Sequence, residues 1–255
     1  VRRDIGSEAA AVTAAAAPAP AISVTPTPAP PASPEDLSMP HPPTKTPLVN
    51  LATTASSAIP AAVNTPVAAL GWEDLAARVA ACQACALHEK RTQTVFGTGS
   101  RSADWLFIGE APGADEDRQG EPFVGRAGQL LDLILKALEQ PRDKCYIANV
   151  CKCRPPNNRE PTPAEALCCW PYLRRQIELI QPSIIIAMGR IAAHRLLQTT
   201  AKLGDLRGKL HRLEDIDVPV VVTYHPAYLL RNPIDKRKTW ADLLFARRNM
   251  PGRNG

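Results

Sequence analysis

Four short apolar runs, separated by segments of helical periodicity, restrict the fold of this chain more than any other feature. They are ADWLFIG (103–109), CYIANV (145–150), SIIIAMG (183–189) and VPVVVTYHP (218–226). Between them, RAGQLLDLILKALEQ (126–140) places Leu130, Leu131, Ile134, Leu135 and Leu138 on one helical face. PTPAEALCCWPYLRRQIELIQP (161–182) opens with Thr162 as N-cap and Pro163 in the first turn. GRIAAHRLL (189–197) begins a third helix and DKRKTWADLLFARR (235–248) is a closing one. WEDLAARVAAC (72–82) precedes them all as a short amphipathic helix, with Leu75 and Val79 one turn apart. Strands alternating with helices pack as a parallel sheet covered on both sides, and the uniformly apolar third run suits a strand buried on both faces. The expected fold is α/β: a three-layer α/β/α arrangement around a central four-stranded parallel sheet. Ligands of such sheets bind at the C-terminal strand ends. That rule selects GEAPG, NVCKC, GR and HPAYLLRNP as the loops to examine.

Composition changes near residue 71. Half of the 26 prolines lie before it, in a stretch rich in Ala, Thr and Ser with no aromatic residue. Such a stretch has too few large apolar groups to offset the entropy of ordering its backbone. Residues 1–70 are therefore expected to be a disordered tether of partly polyproline II character. Prolines interrupt its alanines and no compact core of Leu, Ile or Val follows, so it does not read as a signal peptide. Residues 71–249 are expected to form one domain, with 250–255 a short tail. No apolar run approaches the ~20 residues of a membrane span. A cytoplasmic monomer without membrane association is the expectation. The chain carries a formal +5, and residues 1–70 carry −1, which leaves +6 on the remainder. That bias is compatible with a polyanionic partner but does not require one.

Seven cysteines, an odd number without a secretory signal, argue against a disulfide framework. Cys82 and Cys85 form a C-x-x-C pair, able to grip a metal centre or to act as a redox couple. Cys153 (KCRPPNNREP) and Cys169 (CCWP) lie near prolines, where irregular backbone often carries ligands. Four soft donors suit zinc or an iron–sulfur cluster. One close pair and two distant singles fit a cluster at least as well as zinc, and spacing does not choose between them. Cys145 reads as a small buried hydrophobe. Cys151 and Cys168 each neighbour a presumed ligand and can be ligands or spectators.

The strand-end loops carry the candidate chemistry. In GEAPG, glycines let the backbone approach a ligand. Glu110 beside them can orient water or stabilise a developing cation, although an ordinary tight turn would look the same. Phe123 (EPFVGRAG) can stack on a planar ligand or, the simpler reading, plug the core. Asn149 offers an adjacent donor and acceptor, which match N3–H and O4 of uracil and mismatch cytosine; it can equally cap a turn. His225, its backbone fixed by Pro226, can donate to an oxygen that gains charge, while a lone histidine is more often structural. Tyr228, Leu229 and Leu230, followed by Arg231, read as an exposed apolar knuckle of the kind a base-extruding protein needs. Lys152, Arg154, Arg159 and Arg207 are candidates for phosphate contacts or plain solvated charges. Asp115, Glu116 and Asp117 serve to order their loop.

GEAPGADEDRQGEPFVGRAGQLL, NVCKCRPPNNREPTPAE and YHPAYLLRNP, framed by the C-x-x-C pair, resemble the family 4 uracil-DNA glycosylases, a bacterial and archaeal type that carries a four-iron, four-sulfur (4Fe-4S) cluster. The resemblance runs from about Cys82 to about Arg248 and omits the N-terminal tail. It implies Cys82, Cys85, Cys153 and Cys169 as cluster ligands, with a structural rather than redox role for the cluster. It implies that uracil lies against Gly109, Glu110 and Ala111, stacks on Phe123 and is read by Asn149, while His225 bonds its O2 as the base departs. The implied reaction is hydrolysis of the N-glycosidic bond of uracil in single- or double-stranded DNA, leaving an abasic site for base excision repair. A covalent-trapping branch with a basic, histidine-bearing insert after strand two is not matched, because KCRPPNNREP occupies that place. The family 5 enzymes lack a carboxylate after the first glycine of GEAPG, and TVFGTGSR (94–101) also agrees with family 4. The rival readings are a non-catalytic iron–sulfur DNA-binding module and a zinc-stabilised nucleotide-binding protein.

Overall fold

The computed structural model describes residues 65–251. The tether expected over residues 1–70 falls outside the described residues as far as 64, as does most of the short tail at 250–255. Among the described residues no helix is long and apolar enough to cross a membrane.

Six strands form one sheet: β1 (Thr98–Gly99), β2 (Trp105–Gly109), β3 (Tyr146–Asn149), β4 (Ile184–Met188), β5 (Leu210–Leu213) and β6 (Val218–Thr223), in the order β1-β3-β2-β4-β6-β5. β3, β2, β4 and β6 are parallel neighbours, the four-stranded core expected from the apolar runs. The sheet is wider than expected. β1 and β5 add antiparallel edges to β3 and β6. β1 is only two residues long and β5 (LHRL) mixes polar with apolar side chains, so neither carries a strand signature. Their pairing is imposed by the neighbouring strand.

The helices are α1 (Trp72–Ala80), α2 (Ala114–Gln119), α3 (Arg126–Ala137), α4 (Pro163–Ile180), α5 (Arg190–Leu197), α6 (Leu203–Leu206), α7 (Pro226–Arg231) and α8 (Lys236–Asn249). Period-2 alternation along the strands divides the core into two layers. Leu106, Ile108, Ala148, Ile185 and Val220 cluster with Leu173 and Ile177 of α4 and Ala192 and Ala193 of α5. Trp105, Phe107, Ile147, Ile186 and Val221 cluster with Leu131 and Leu135 of α3 and Leu243 of α8. Each of these fully buried large side chains contributes about 1.5–3 kcal/mol. α1 buries Leu75 and Val79 against Tyr172 of α4. The reciprocal cap of α4 forms as expected. Thr162 Oγ1 accepts from the Glu165 amide at 3.2 Å, and Glu165 Oε2 accepts from the Thr162 amide at 2.7 Å.

Two segments read as irregular are helical. Residues 114–119 form α2, and residues 226–231, read as strand end and loop, form α7 with His225 as its N-cap. The parallel strands end in register, Gly109 beside Asn149 and Met188 beside Thr223. β3 lies on one side of β2 and β4 on the other. Such a reversal of strand order opens a crevice at the carboxyl ends.

Candidate active site

A cavity of about 660 Å³ occupies that crevice, with Glu110, Phe123, Asn149, Gly189, His225 and Arg231 in its wall. All four loops selected by the strand-end rule contribute to it. Ala111 also lines it. Gly109 does not: it is buried at the end of β2, behind Phe123 and Asn149. A Cβ on Gly109 would lie 2.5 Å from Phe123 Cζ and 2.4 Å from Asn149 Oδ1. Glycine here lets the ring and the amide close over the strand end.

Phe123 combines its two readings. Its ring belongs to the core layer that includes α3 and is 5% exposed, yet it borders the cavity. Its backbone takes φ 57°, a region that costs a bulky residue energy and persists only where the surroundings enforce it. Three groups enforce it. Arg142 donates to the carbonyls of Pro122, at 3.0 Å, and Phe123, while its Nε is held by Asp132 at 2.6 Å. Gly128 of α3 leaves room, because a Cβ there would meet the Phe123 carbonyl oxygen at 1.7 Å. Glu116 ties the two walls together: Oε2 accepts from the Gly113 amide at 3.1 Å, and Oε1 accepts from the Val124 and Gly125 amides at 3.0 Å each. Asp117, also buried, accepts twice from the Thr92 amide. The acids of this segment do order the loop, as expected, and Glu116 does so at the pocket itself. Its place three residues after the glycine that caps α2 is the capping-box spacing, a signal available in the sequence. Arg142 had none. Replacing Glu116 with alanine strands three amides, and a loss of about 2–3 kcal/mol is expected in a urea unfolding curve.

The polar groups at the cavity floor are unusual in what they leave unpaired. Asn149 is 1% exposed and its Nδ2 has no hydrogen-bond partner. A buried donor without a partner costs about 1–3 kcal/mol, and here it stands in the wall of a ligand-sized space. The His225 ring lies 5.5 Å from the Phe123 ring, centroid to centroid. Its Nδ1 accepts from the Ala227 amide at 3.2 Å. Burial, with help from Arg231, lowers its pKa to about 4, against a small opposing pull from Glu116. The ring is therefore neutral at pH 7, and with Nδ1 accepting, its proton sits on Nε2 as a donor.

Glu110 is the opposite case. Burial raises its carboxyl to about 7, Glu160 adds to the rise, and Arg190 opposes it. Glu160 and Arg190 form an ion pair on the same cavity wall. The carboxyl is thus poised to change charge near neutrality.

At the lip, the expected knuckle is only partly present. Leu229 is 0% exposed and packs inward, because α7 turns it away from solvent, so it cannot be an exposed wedge. Leu230 is 37% exposed, and Tyr228 and Arg231 line the cavity. Two of the basic residues considered for phosphate are committed elsewhere. Lys152 is 1% exposed and donates to the carbonyls of Phe96 and Asn149 and to Gln176 Oε1. Arg207 grips buried Asp242 through two bonds of 2.8 and 3.1 Å. Arg159 pairs with Glu165 but remains on the cavity wall, and Arg154 Nε donates to Asn158.

Cys82, Cys85, Cys153 and Cys169, far apart in sequence, border one small cavity together with Cys168, His88 and Arg91. Among the described residues no three His, Cys, Asp or Glu side chains converge closely enough to hold a single metal ion. The donor set nevertheless suits a thiolate-bound cluster, and its sulfurs are hydrogen-bonded as such ligands are. Arg91 Nη1 donates to Cys153 Sγ at 3.1 Å, and the Ala84 amide to Cys82 Sγ at 3.5 Å. A hydrogen bond from the Cys151 thiol, with the Lys152 amide, holds the Cys169 thiol below its ordinary range and pushes Cys151 up. Cys145 is fully buried in the core, as expected.

A fold of this kind, with its pocket at the switch point, matches a described family: residues 96–244 fit the profile of the uracil DNA glycosylase superfamily. The chain is 44% identical over 168 residues to a type-4 uracil-DNA glycosylase of Archaeoglobus fulgidus, covering 63% of this chain and 84% of that protein. It is 44% identical over 165 residues to the type-4 enzyme of Thermotoga maritima, covering 63% and 83%. A type-5 uracil-DNA glycosylase of Pyrobaculum aerophilum is 32% identical over 149 residues, covering 51% and 64%. The chain belongs to the type-4 uracil-DNA glycosylases.

Proposed function

We propose that this protein removes uracil from single- or double-stranded DNA by hydrolysing the N-glycosidic bond, with residues 71–249 acting as a monomeric catalytic domain. The observation that carries this reading is the buried, unpartnered Asn149 amide in a cavity it shares with Phe123 and a neutral His225. The target nucleotide must leave the stack to be reached. In the pocket, Phe123 stacks on the base, Ala111 and Glu110 border it, and the Asn149 amide bonds its O4 and N3–H edge. The C1′–N1 bond breaks with its electron pair passing to the base. The negative charge reaches O2, where the His225 Nε2–H donates. The Glu110 carboxylate faces the positive charge on the sugar and orients the water that adds to C1′. The water's proton leaves to Glu110 or to solvent, the uracil anion takes up a proton from solvent, and the products are uracil and an abasic site. Tyr228, Leu230 and Arg231 at the lip take the DNA side of the opening. Cys82, Cys85, Cys153 and Cys169 hold the 4Fe-4S cluster, whose contribution is to cross-link the segment after α1, the loop after β3 and α4, with no electron transfer in the reaction.

Iron-loaded protein is expected to release uracil from a uracil-containing oligonucleotide, read as strand cleavage after alkali treatment. No cleavage by folded, brown protein would sink the enzyme reading and promote a DNA-binding module. The Glu110 pKa of about 7 fixes the pH profile. The rate should rise about tenfold per pH unit below 7 and level off above it, and Glu110→Gln should abolish that rise. Stability should run the other way. The folded carboxyl holds its proton between 4.5 and about 7 while the unfolded one releases it. Stability therefore falls as pH rises through that window, and the melting temperature of Glu110→Gln should not show this fall.

A further inference from the structure

The cysteine cavity has more thiols than a four-iron cluster uses. A 4Fe-4S cubane takes one thiolate at each of four irons. Five cysteines border the cavity: Cys82, Cys85, Cys153, Cys168 and Cys169. Cys168 and Cys169 are consecutive on α4, so their side chains leave the helix about 100° apart. Both nevertheless border the same space, which places the cavity on the helix flank between them. Their settings differ. Cys169 is 4% exposed and its sulfur is engaged by the Cys151 thiol and the Lys152 amide, the environment of a resident thiolate ligand. Cys168 borders the same cavity but is only partly buried. Cys151 does not border the cavity, so its thiol is a partner of Cys169 and not a fifth donor of the same kind.

We propose that Cys168 is a reserve cluster ligand that takes the fourth iron when Cys169 is lost or displaced. The inference rests on the cluster assigned under the proposed function. The exchange is balanced without an oxidant. The Cys168 thiol gives up its proton as its sulfur bonds to the iron, and the departing Cys169 sulfur takes up a proton as its own bond to that iron breaks. The oxidation state of the cluster does not change. Cys153 has no such neighbour at the cavity, so the reserve is specific to the corner supplied by α4.

The test compares Cys169→Ala, Cys168→Ala, the double variant and Cys153→Ala, purified anaerobically or reconstituted with ferrous iron and sulfide. Alanine is used because a serine oxygen can itself bind iron. Iron and sulfide per chain and the visible charge-transfer band are read, independently of glycosylase activity. Cys169→Ala is expected to retain about four irons per chain, with a shifted visible spectrum, and Cys168→Ala to retain them with the wild-type spectrum. The double variant and Cys153→Ala are expected to lose most of their iron. Iron loss or failure to fold in Cys169→Ala, to the extent seen in the double variant, overturns the proposal. Iron loss in Cys168→Ala with retention in Cys169→Ala also overturns it, by making Cys168 the resident ligand. Wild-type protein that binds zinc and no iron refutes the cluster reading itself, a separate result.

Discussion

Replacing His225 with alanine is expected to lower the single-turnover rate of uracil release by about 10²–10³, the usual cost of removing one preorganised donor at a developing anion. The expectation follows from the protonation state of the ring. At a pKa of about 4, imidazolium is scarce at pH 7, so the donor is the Nε2–H of the neutral ring. The Ala227 amide at Nδ1 fixes which nitrogen carries the hydrogen. The same bond caps α7, so the variant also loses about 0.5–2 kcal/mol of stability, and rates should be measured well below its melting temperature. The folded ring titrates below its ordinary 6.5, so stability contributed by the neutral ring is present above 6.5 and is lost as pH falls toward about 4. A loss of less than fivefold in rate would move the anion's stabilisation away from this ring.

Replacing Asn149 with leucine should separate activity from stability. The amide nitrogen is buried without a partner in the free protein, and under the proposed function the uracil edge would supply one. Removing it should lower kcat/KM for uracil by roughly 10–100-fold, the cost of one or two buried hydrogen bonds. Leucine keeps the branched four-heavy-atom skeleton and leaves no orphaned donor, so the melting temperature is expected to rise by about 2–4 °C. A variant that is both slower and less stable would mean that the amide has a structural partner. Active sites commonly hold such destabilising groups because substrate supplies the missing contact.

The sequence alone was enough for the parallel core and for the crevice that holds the candidate site. Strand-length apolar runs such as Ile184 to Met188 can only be buried, and helical segments between them force parallel pairing. Strand ends then become addresses, so Asn149 and His225 could be assigned to one crevice before any coordinate was known. The capping pattern at Thr162 and the gathering of Cys82, Cys85, Cys153 and Cys169 were legible for similar reasons, being short-range spacing or a motif of fixed order.

What tertiary structure decided depends on contacts between residues far apart in the chain, or on a helical turn that rotates a side chain inward. The edge strands β1 and β5 exist because β3 and β6 offer unpaired backbone groups, and nothing within Thr98–Gly99 or LHRL asks for a strand. Leu229 looks like a wedge in a loop and becomes core once residues 226–231 close into α7. Lys152 looks like a phosphate contact and is instead enclosed by three oxygen acceptors, two of them supplied by Phe96 and Gln176. Phe123 holds its left-handed backbone because Arg142, nineteen residues on, binds its carbonyl. Hydrophobic period and local spacing are properties of the chain. The tautomer of His225, the raised carboxyl of Glu110 and the fifth thiol at the cysteine cavity depend on which groups the folded backbone brings within a few ångströms, and local pattern carries no record of that.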